Sequence, residues 1–400
     1  MDKFDIGQFG GQGGVGTEHL LVCFVDRILY LLDRHRDKSA VIAAFVDWSA
    51  AFDRQDPTLA IKRFIEIGVR PSIIPILVSY LSGRRMKVKF NGEESDILTL
   101  IGGGPQGTLI GQIMYLVQSN SNADNVNPED RFKFIDDLSI LHIISLAGLL
   151  TDYNFHSHVA SDVGIDQQFL PPSSYGLQDK LNTISQWTQD NLMKLNKKKC
   201  NYMVFTRTKA DFATRLNIDN NIIEQVNVTK LLGVWIAEDM SWSRNSAEIC
   251  KKAYSRLTML TKLKYVGVTI ENLLNIYILF IRSCTEYCSV VFHSRLTVEA
   301  AASLERIQKT CLRIILGENY VNYEAALEMT GLQSLSVRRE KRCLDFALKC
   351  VNHERNSRLF PLNLHIRNRE TFTVNHATTD TYMMSAIPYC QRLLNKHFTK

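Results

Sequence analysis

The run AVIAAFV at residues 40–46 is apolar without interruption and stops on a carboxylate, Asp47. Seven such residues suit a buried strand that delivers an acid at its carboxyl end. A second acidic feature lies further on, where RFKFI (131–135) and LSILHII (138–144) read as two strands joined through Asp136 and Asp137. If the strands are neighbours, three carboxylates converge on one sheet edge, and burying adjacent like charges is costly without a cation or full hydrogen bonding. Hard, oxygen-binding Mg²⁺ suits such a cluster. Two ions about 3.5 to 4 Å apart activate an attacking oxygen and stabilise a leaving one, the chemistry of nucleotidyl transfer. Taken singly, each site has a plainer reading as a cap or a turn, where aspartate is common.

The remaining pattern is mixed. A glycine-rich lead, GGQGGVG (10–16), precedes a helical repeat in which Leu20, Leu21, Phe24, Ile28 and Leu31 recur at three and four. Asp56-Pro57 and Arg70-Pro71 open two helical segments. MKVKF and SDILTLI flank Asn91-Gly92, a strong hairpin signal. GGGPQGT then leads into an apolar helix at about 109–117, while residues 148–176 read as irregular. A helix around Trp187, the basic run KLNKKK, a strand NYMVF, a polar hairpin at Asn220-Asn221 and a strand-like KLLGVWI follow. From Ser243 the pattern turns helical, at about 243–264, 269–284, 297–316 and 334–353.

Composition excludes several classes. Of 400 residues, 45% are hydrophobic and 22% charged, which rules out a disordered, collagen-like or coiled-coil chain. A net charge of +6 mildly favours a polyanionic partner. Nine cysteines without a CxxC pair give neither a disulfide framework nor a zinc-ribbon spacing. No signal peptide or membrane-length apolar run is visible, so the sequence reads as soluble and intracellular, nuclear or cytoplasmic, with no membrane partner. Gly11, Gly13 and Gly16 spell GxGxxG, but no hydrophobic strand precedes them, which argues against a dinucleotide site. His156 with His158, and Cys284 with Cys288, lack partner ligands and read as structural.

In order, AFVDWSAAFD, YLSGRR with its hairpin, GGGPQGTLIG and KFIDDLS resemble motif A, the linking segment, motif B and motif C of reverse transcriptases from non-LTR, LINE-type, jockey-like retrotransposons. LMKLNKKKCNYMVF resembles the lysine-bearing motif D, and KLLGVWI resembles motif E, the primer grip. The likeness runs from about Gln8, where a QxG stretch leads into the first helix, to Asn363. It implies an α+β fold: a right-hand polymerase palm, an antiparallel sheet backed by helices, followed by an all-helical thumb. The expected domains are 1–240 (palm with partial fingers), 241–365 (helical thumb and C-terminal region) and 366–400 (weakly structured tail).

The same resemblance implies an RNA-directed DNA polymerase, a nucleotidyltransferase acting on an RNA template, a DNA primer and deoxynucleoside triphosphates with two Mg²⁺, or Mn²⁺. Asp47, Asp136 and Asp137 would be the metal ligands, and Phe52 the ring that excludes a ribose 2′-hydroxyl. Gln106 and Gly107 would line the template and nucleotide path. Lys199 aligns best as proton donor to pyrophosphate, with Lys194 and Lys198 as rivals, and Leu232, Gly233 and Val234 would support the primer terminus. Motif C carries Ile135 where many relatives have alanine, and motif B carries Gln112 where many have proline. Only 46 residues precede Asp47, so the upstream basic finger strands and an endonuclease are expected to be absent, and no RNase H signature or CCHC zinc knuckle is visible. The rival expectations are a catalytically silent, nucleic-acid-binding remnant and a helical protein-interaction module.

Overall fold

A computed structural model describes residues 4–35, 39–145, 175–208, 215–363 and 371–399. It separates into two compact units. The first holds the chain to Leu20 together with His35–Val226, and the second holds Leu21–Arg34 together with the chain from Asn227 onward.

The first unit is built on a five-stranded sheet. Helix α1 (Thr17–His35) leads to β1 (Ser39–Val46), every residue of which is buried. Helices α2 (Pro57–Glu66) and α3 (Ile74–Leu81) follow. Asp56 caps α2 by accepting from the Leu59 amide at 2.9 Å, as the Asp-Pro pair foretells. Arg70-Pro71 does not open α3: residues 71–73 make a turn, and Pro75 takes the early helical position instead. Four short strands, β2 (Arg85–Met86), β3 (Lys89–Phe90), β4 (Glu93–Glu94) and β5 (Leu98–Thr99), fold back over Asn91 and Gly92, both at positive φ.

Helix α4 (Leu109–Gln118) precedes β6 (Arg131–Phe134) and β7 (Asp137–Ser145). Helix α5 (Tyr175–Asp190) and strand β8 (Asn201–Thr206) come next, then β9 (Asn217–Ile218), β10 (Asn221–Ile222) and β11 (Glu224–Gln225). The sheet order is β11-β8-β1-β7-β6, antiparallel throughout except for the parallel β11–β8 pair. The α+β expectation of an antiparallel sheet backed by helices is therefore met. Ala40, Ile42, Ala44 and Val46 point from β1 into one core with Leu177, Leu181 and Ile184 of α5. A second core joins Ala60 and Phe64 of α2, Leu77 and Leu81 of α3, and Met114 and Val117 of α4. The β9–β10 turn falls on Asp219 and Asn220, both at positive φ, one residue before the expected place. The expected irregular stretch at 148–176, with His156 and His158, lies outside the described residues up to 174.

In the second unit KLLGVWI is not one strand. It forms a hairpin, β12 (Val228–Leu231) and β13 (Val234–Ala237), turning at Leu232 (φ 46) and Gly233 (φ 88). Helices follow at α6 (Ser243–Tyr265), α7 (Ile270–Ile276), α8 (Ser283–Glu286), α9 (Ser289–Phe292), α10 (Val298–Leu316), α11 (Tyr323–Thr330) and α12 (Leu335–Val351). The helix expected at 269–284 is interrupted by a π-helical turn, Tyr277–Arg282. There the buried Tyr277 hydroxyl meets Gln308 of α10.

The tail expected to be weakly structured contains α13 (Asp380–Met383) and α14 (Ala386–Phe398). Ile387, Cys390 and Leu394 are buried, α14 packs along α12, and the Thr378 and Thr379 hydroxyls donate to the buried Asp33 carboxylate at 2.9 and 2.7 Å. Long-range burial, which a local pattern does not register, accounts for the difference. Among the described residues no helix is long and apolar enough to cross a membrane.

Candidate active site

Three carboxylates meet because of register. Val46 of β1 pairs with Leu138 of β7, so Asp47, one residue on, comes opposite Asp137. Asp136 occupies the tight turn between Phe134 and Asp137, which pair across the β6–β7 hairpin. The preceding turn residue, Ile135, has φ 58. For a β-branched residue that is a strained backbone, of the kind found at functional turns.

The charges repel. Burial first, then the Asp136 and Asp47 charges, push the Asp137 carboxyl up to about 6. Asp136 is also raised, by burial and by Asp47, against the pull of its own backbone amide and of Lys199. Tyr115 of α4 lies near enough that its hydroxyl is pushed far up by burial and then by all three acids. Among the described residues Asp47 Oδ2 is buried without a hydrogen-bond donor, and it lies 3.7 Å from Lys199 Nζ, a long ion pair.

The lysine comes from a segment clamped to the residues around Asp47. The Asn196 amide donates to the Asp47 carbonyl at 2.8 Å, the Ser49 amide donates to the Lys194 carbonyl at 2.8 Å, and Trp48 bridges Leu195. The Cys200 thiol, raised by burial, accepts from the Asp47 amide at 3.5 Å. All three candidate lysines are exposed, and Lys199 is the one that pairs with Asp47.

Phe52 stacks on Tyr115 with ring centroids 5.1 Å apart. Its carbonyl accepts from the Gly104 amide at 2.7 Å, and the Gln55 carbonyl accepts from the Gly103 amide at 2.8 Å, so the glycine loop is tied to the turn after Asp47. The Gln106 amide donates to Asp53 Oδ1 at 2.8 Å. Gly107, at φ 76, adopts a conformation that glycine takes without strain. Leu232, Gly233 and Val234 belong to the second unit. There the Tyr287 hydroxyl donates to the Leu232 carbonyl at 2.8 Å, and its ring covers Gly233. Gly233 and Val234 border a cleft of about 480 Å³ with Lys230, Trp235, Lys252 and Arg256.

Sequence reasoning passed over Tyr115, Asp53 and Tyr287. Their roles come from contacts across the fold, and a polar or aromatic residue within an apolar helix was the one signal at Tyr115. The donor set, all carboxylate with an unsatisfied buried oxygen, fits a hard divalent cation. Among the described residues no three acid, histidine or cysteine side chains form a group that could hold a metal ion as they stand.

No protein-family model matches the chain. It is 24% identical over 260 residues to a probable RNA-directed DNA polymerase from transposon BS of Drosophila melanogaster, covering 63% of this chain and 26% of that protein. It is 23% identical over 250 residues to the RNA-directed DNA polymerase from mobile element jockey of the same species (60% and 24%). Against the probable polymerase from its transposon X-element, identity is 26% over 244 residues (60% and 24%). A solved apo telomerase from Candida tropicalis superposes with TM-score 0.38 at 11% identity, covering 88% of this chain and 52% of that one, a likeness too slight to bear on function. The chain is thus similar to RNA-directed DNA polymerases of jockey-like mobile elements, and it spans about a quarter of their length.

Proposed function

We propose that the chain carries the nucleotidyl-transfer centre of an RNA-directed DNA polymerase, extending a DNA primer on an RNA template with deoxynucleoside triphosphates. The observation that carries this reading is the β1–β7 register, which sets Asp47 opposite Asp137 with Asp136 in the adjoining turn. Asp47, Asp136 and Asp137 would hold divalent cations, Mg²⁺ or Mn²⁺, which when bound neutralise charge on the reacting phosphates and favour the attacking hydroxylate. The Lys199 ammonium, 3.7 Å from Asp47 Oδ2, would give a proton to departing pyrophosphate. Phe52, stacked on Tyr115, would be the ring that excludes a ribose 2′-hydroxyl. Gln106, tethered by Asp53, lines the template path. Leu232, Gly233 and Val234 form the turn that supports the primer terminus, beside a cleft whose Lys230, Lys252 and Arg256 suit phosphate oxygens.

The test is primer extension on an RNA template with this chain and Asp136→Asn. The parent extends in Mg²⁺ or Mn²⁺, and the variant loses at least about a hundredfold in rate. Extension by Asp136→Asn at the parent rate contradicts the assignment.

A further inference from the structure

The turn that presents Asp136 is braced by a segment far away in sequence. Residues 7–9 lie along β6: the Lys133 amide donates to the Gly7 carbonyl at 2.9 Å, the Phe9 amide donates to the Lys133 carbonyl at 2.7 Å, and Gln8 forms a parallel bridge to Lys133. Phe9 stacks on Phe132. Asp5 locks the segment in place, pairing with Arg131 Nη2 at 2.8 Å and Lys133 Nζ at 2.6 Å, all within the core. Burial disfavours charge on both Asp5 and Lys133. The two cations nevertheless hold the Asp5 carboxyl below its usual range.

On this rail Gln8 is 2% exposed. Its Oε1 accepts from the Ile135 amide at 3.2 Å and from the Gly10 amide at 3.0 Å. Ile135 is the residue at φ 58, directly before Asp136. Gly10 sits so close that a Cβ there would lie 2.6 Å from the Ile135 nitrogen. A strained turn persists only where its surroundings over-determine it, and these two contacts do so from one side.

We propose that Gln8 is a positioning residue for the acid pair: its buried amide oxygen holds the Ile135 peptide in the left-handed turn that aims Asp136, and Gly10 leaves the space for it. The inference rests on the metal-site reading above. It goes beyond that reading by giving the N-terminal segment a task in metal affinity rather than in sheet stability alone.

Two readouts on the full chain test it, neither of them polymerisation. Amide hydrogen exchange of the metal-free protein reports on Ile135, and titration with Mn²⁺ alone reports on the acids. Gln8→Leu, which removes the acceptor, is expected to speed exchange at Ile135 selectively and to weaken Mn²⁺ binding about tenfold, the usual effect of losing an outer-shell partner. Gln8→Glu, which keeps an acceptor, restores Ile135 protection. Gly10→Ala, which pushes the turn directly, weakens Mn²⁺ in the same direction should Gln8→Leu not fold. Adding Ile135→Gly to Gln8→Leu recovers Mn²⁺ affinity, because glycine holds positive φ without help. Unchanged exchange and affinity in Gln8→Leu overturn the proposal. So does a uniform rise in exchange across β1 and β8, which would make Gln8 a brace for the sheet only. A parent that binds no Mn²⁺ counts against the metal-site reading instead, and Ile135 exchange then decides the role of Gln8 by itself.

Discussion

Asp137 is where the electrostatic cost of the site falls. Its folded carboxyl titrates near 6 against an ordinary 3.8, so the folded chain binds the proton more tightly than the unfolded one. This contribution to stability is fully present below pH 3.8 and is lost as pH rises through 6. Metal-free protein should therefore lose on the order of 2 kcal/mol between about pH 4 and pH 7 from this group. Asp137→Asn should raise the melting temperature at pH 7.5 without metal and leave it unchanged only below pH 3.8. Mg²⁺ should stabilise the parent more than the variant, and equal stabilisation of both would argue against Asp137 as a ligand. Phe52→Val is expected to admit ribonucleotides, read as a rise of about tenfold or more in their incorporation relative to deoxynucleotides, the scale on which pocket contacts discriminate. The acids were legible in sequence because core packing alone does not call for a carboxylate at the end of an apolar run. The hold of Gln8 on Ile135 was not, since the partners lie 127 positions apart.

At the scale of elements, strands and helices followed their periodicity where turn chemistry was orthodox. Asn91-Gly92 marked its hairpin, and Asp56-Pro57 marked its helix. Leu232 hid the turn in KLLGVWI, because leucine is not a residue that signals positive φ. The Tyr287 hydroxyl on the Leu232 carbonyl compensates for that strain from outside the hairpin. Leu232→Gly should accordingly relieve about 1 kcal/mol of left-handed strain, seen as a higher melting temperature. Tyr287→Phe should lower it by a similar amount, as expected for one hydrogen bond. A fall in stability for Leu232→Gly would mean that the leucine side chain contributes more by packing than its backbone costs.

For the molecule as a whole, the C-terminal segment is the part local patterns undervalued. Residues 371–398 are held by contacts that close only in the fold: Asp33 receives the Thr378 amide and the Thr378 and Thr379 hydroxyls, and Ser385 donates to Asp26 at 3.2 Å. Burial works against ionisation of Asp33, but these donors together keep its carboxyl below the usual range. A depressed value contributes stability at neutral pH that is lost only as pH falls through it, below 3.8, the opposite sense to Asp137. Asp33→Ala should cost about 2 kcal/mol at pH 7, the scale of hydrogen bonds to a charged group, and should raise hydrogen exchange in 371–398 first. Exchange rising evenly along the chain would show that the segment is not a separable layer of stability.

The measurement that bears most directly on the metal-site reading is single-nucleotide addition to a DNA primer annealed to RNA, followed against Mg²⁺ concentration for the parent and Asp47→Asn. The register that joins Asp47 to Asp137 predicts saturable, Mg²⁺-dependent addition by the parent and a loss of at least about a hundredfold in Asp47→Asn at saturating metal. Addition by both proteins with the same rate and the same Mg²⁺ dependence would contradict the reading, since the chemistry would then lie outside the acids that β1 and β7 bring together.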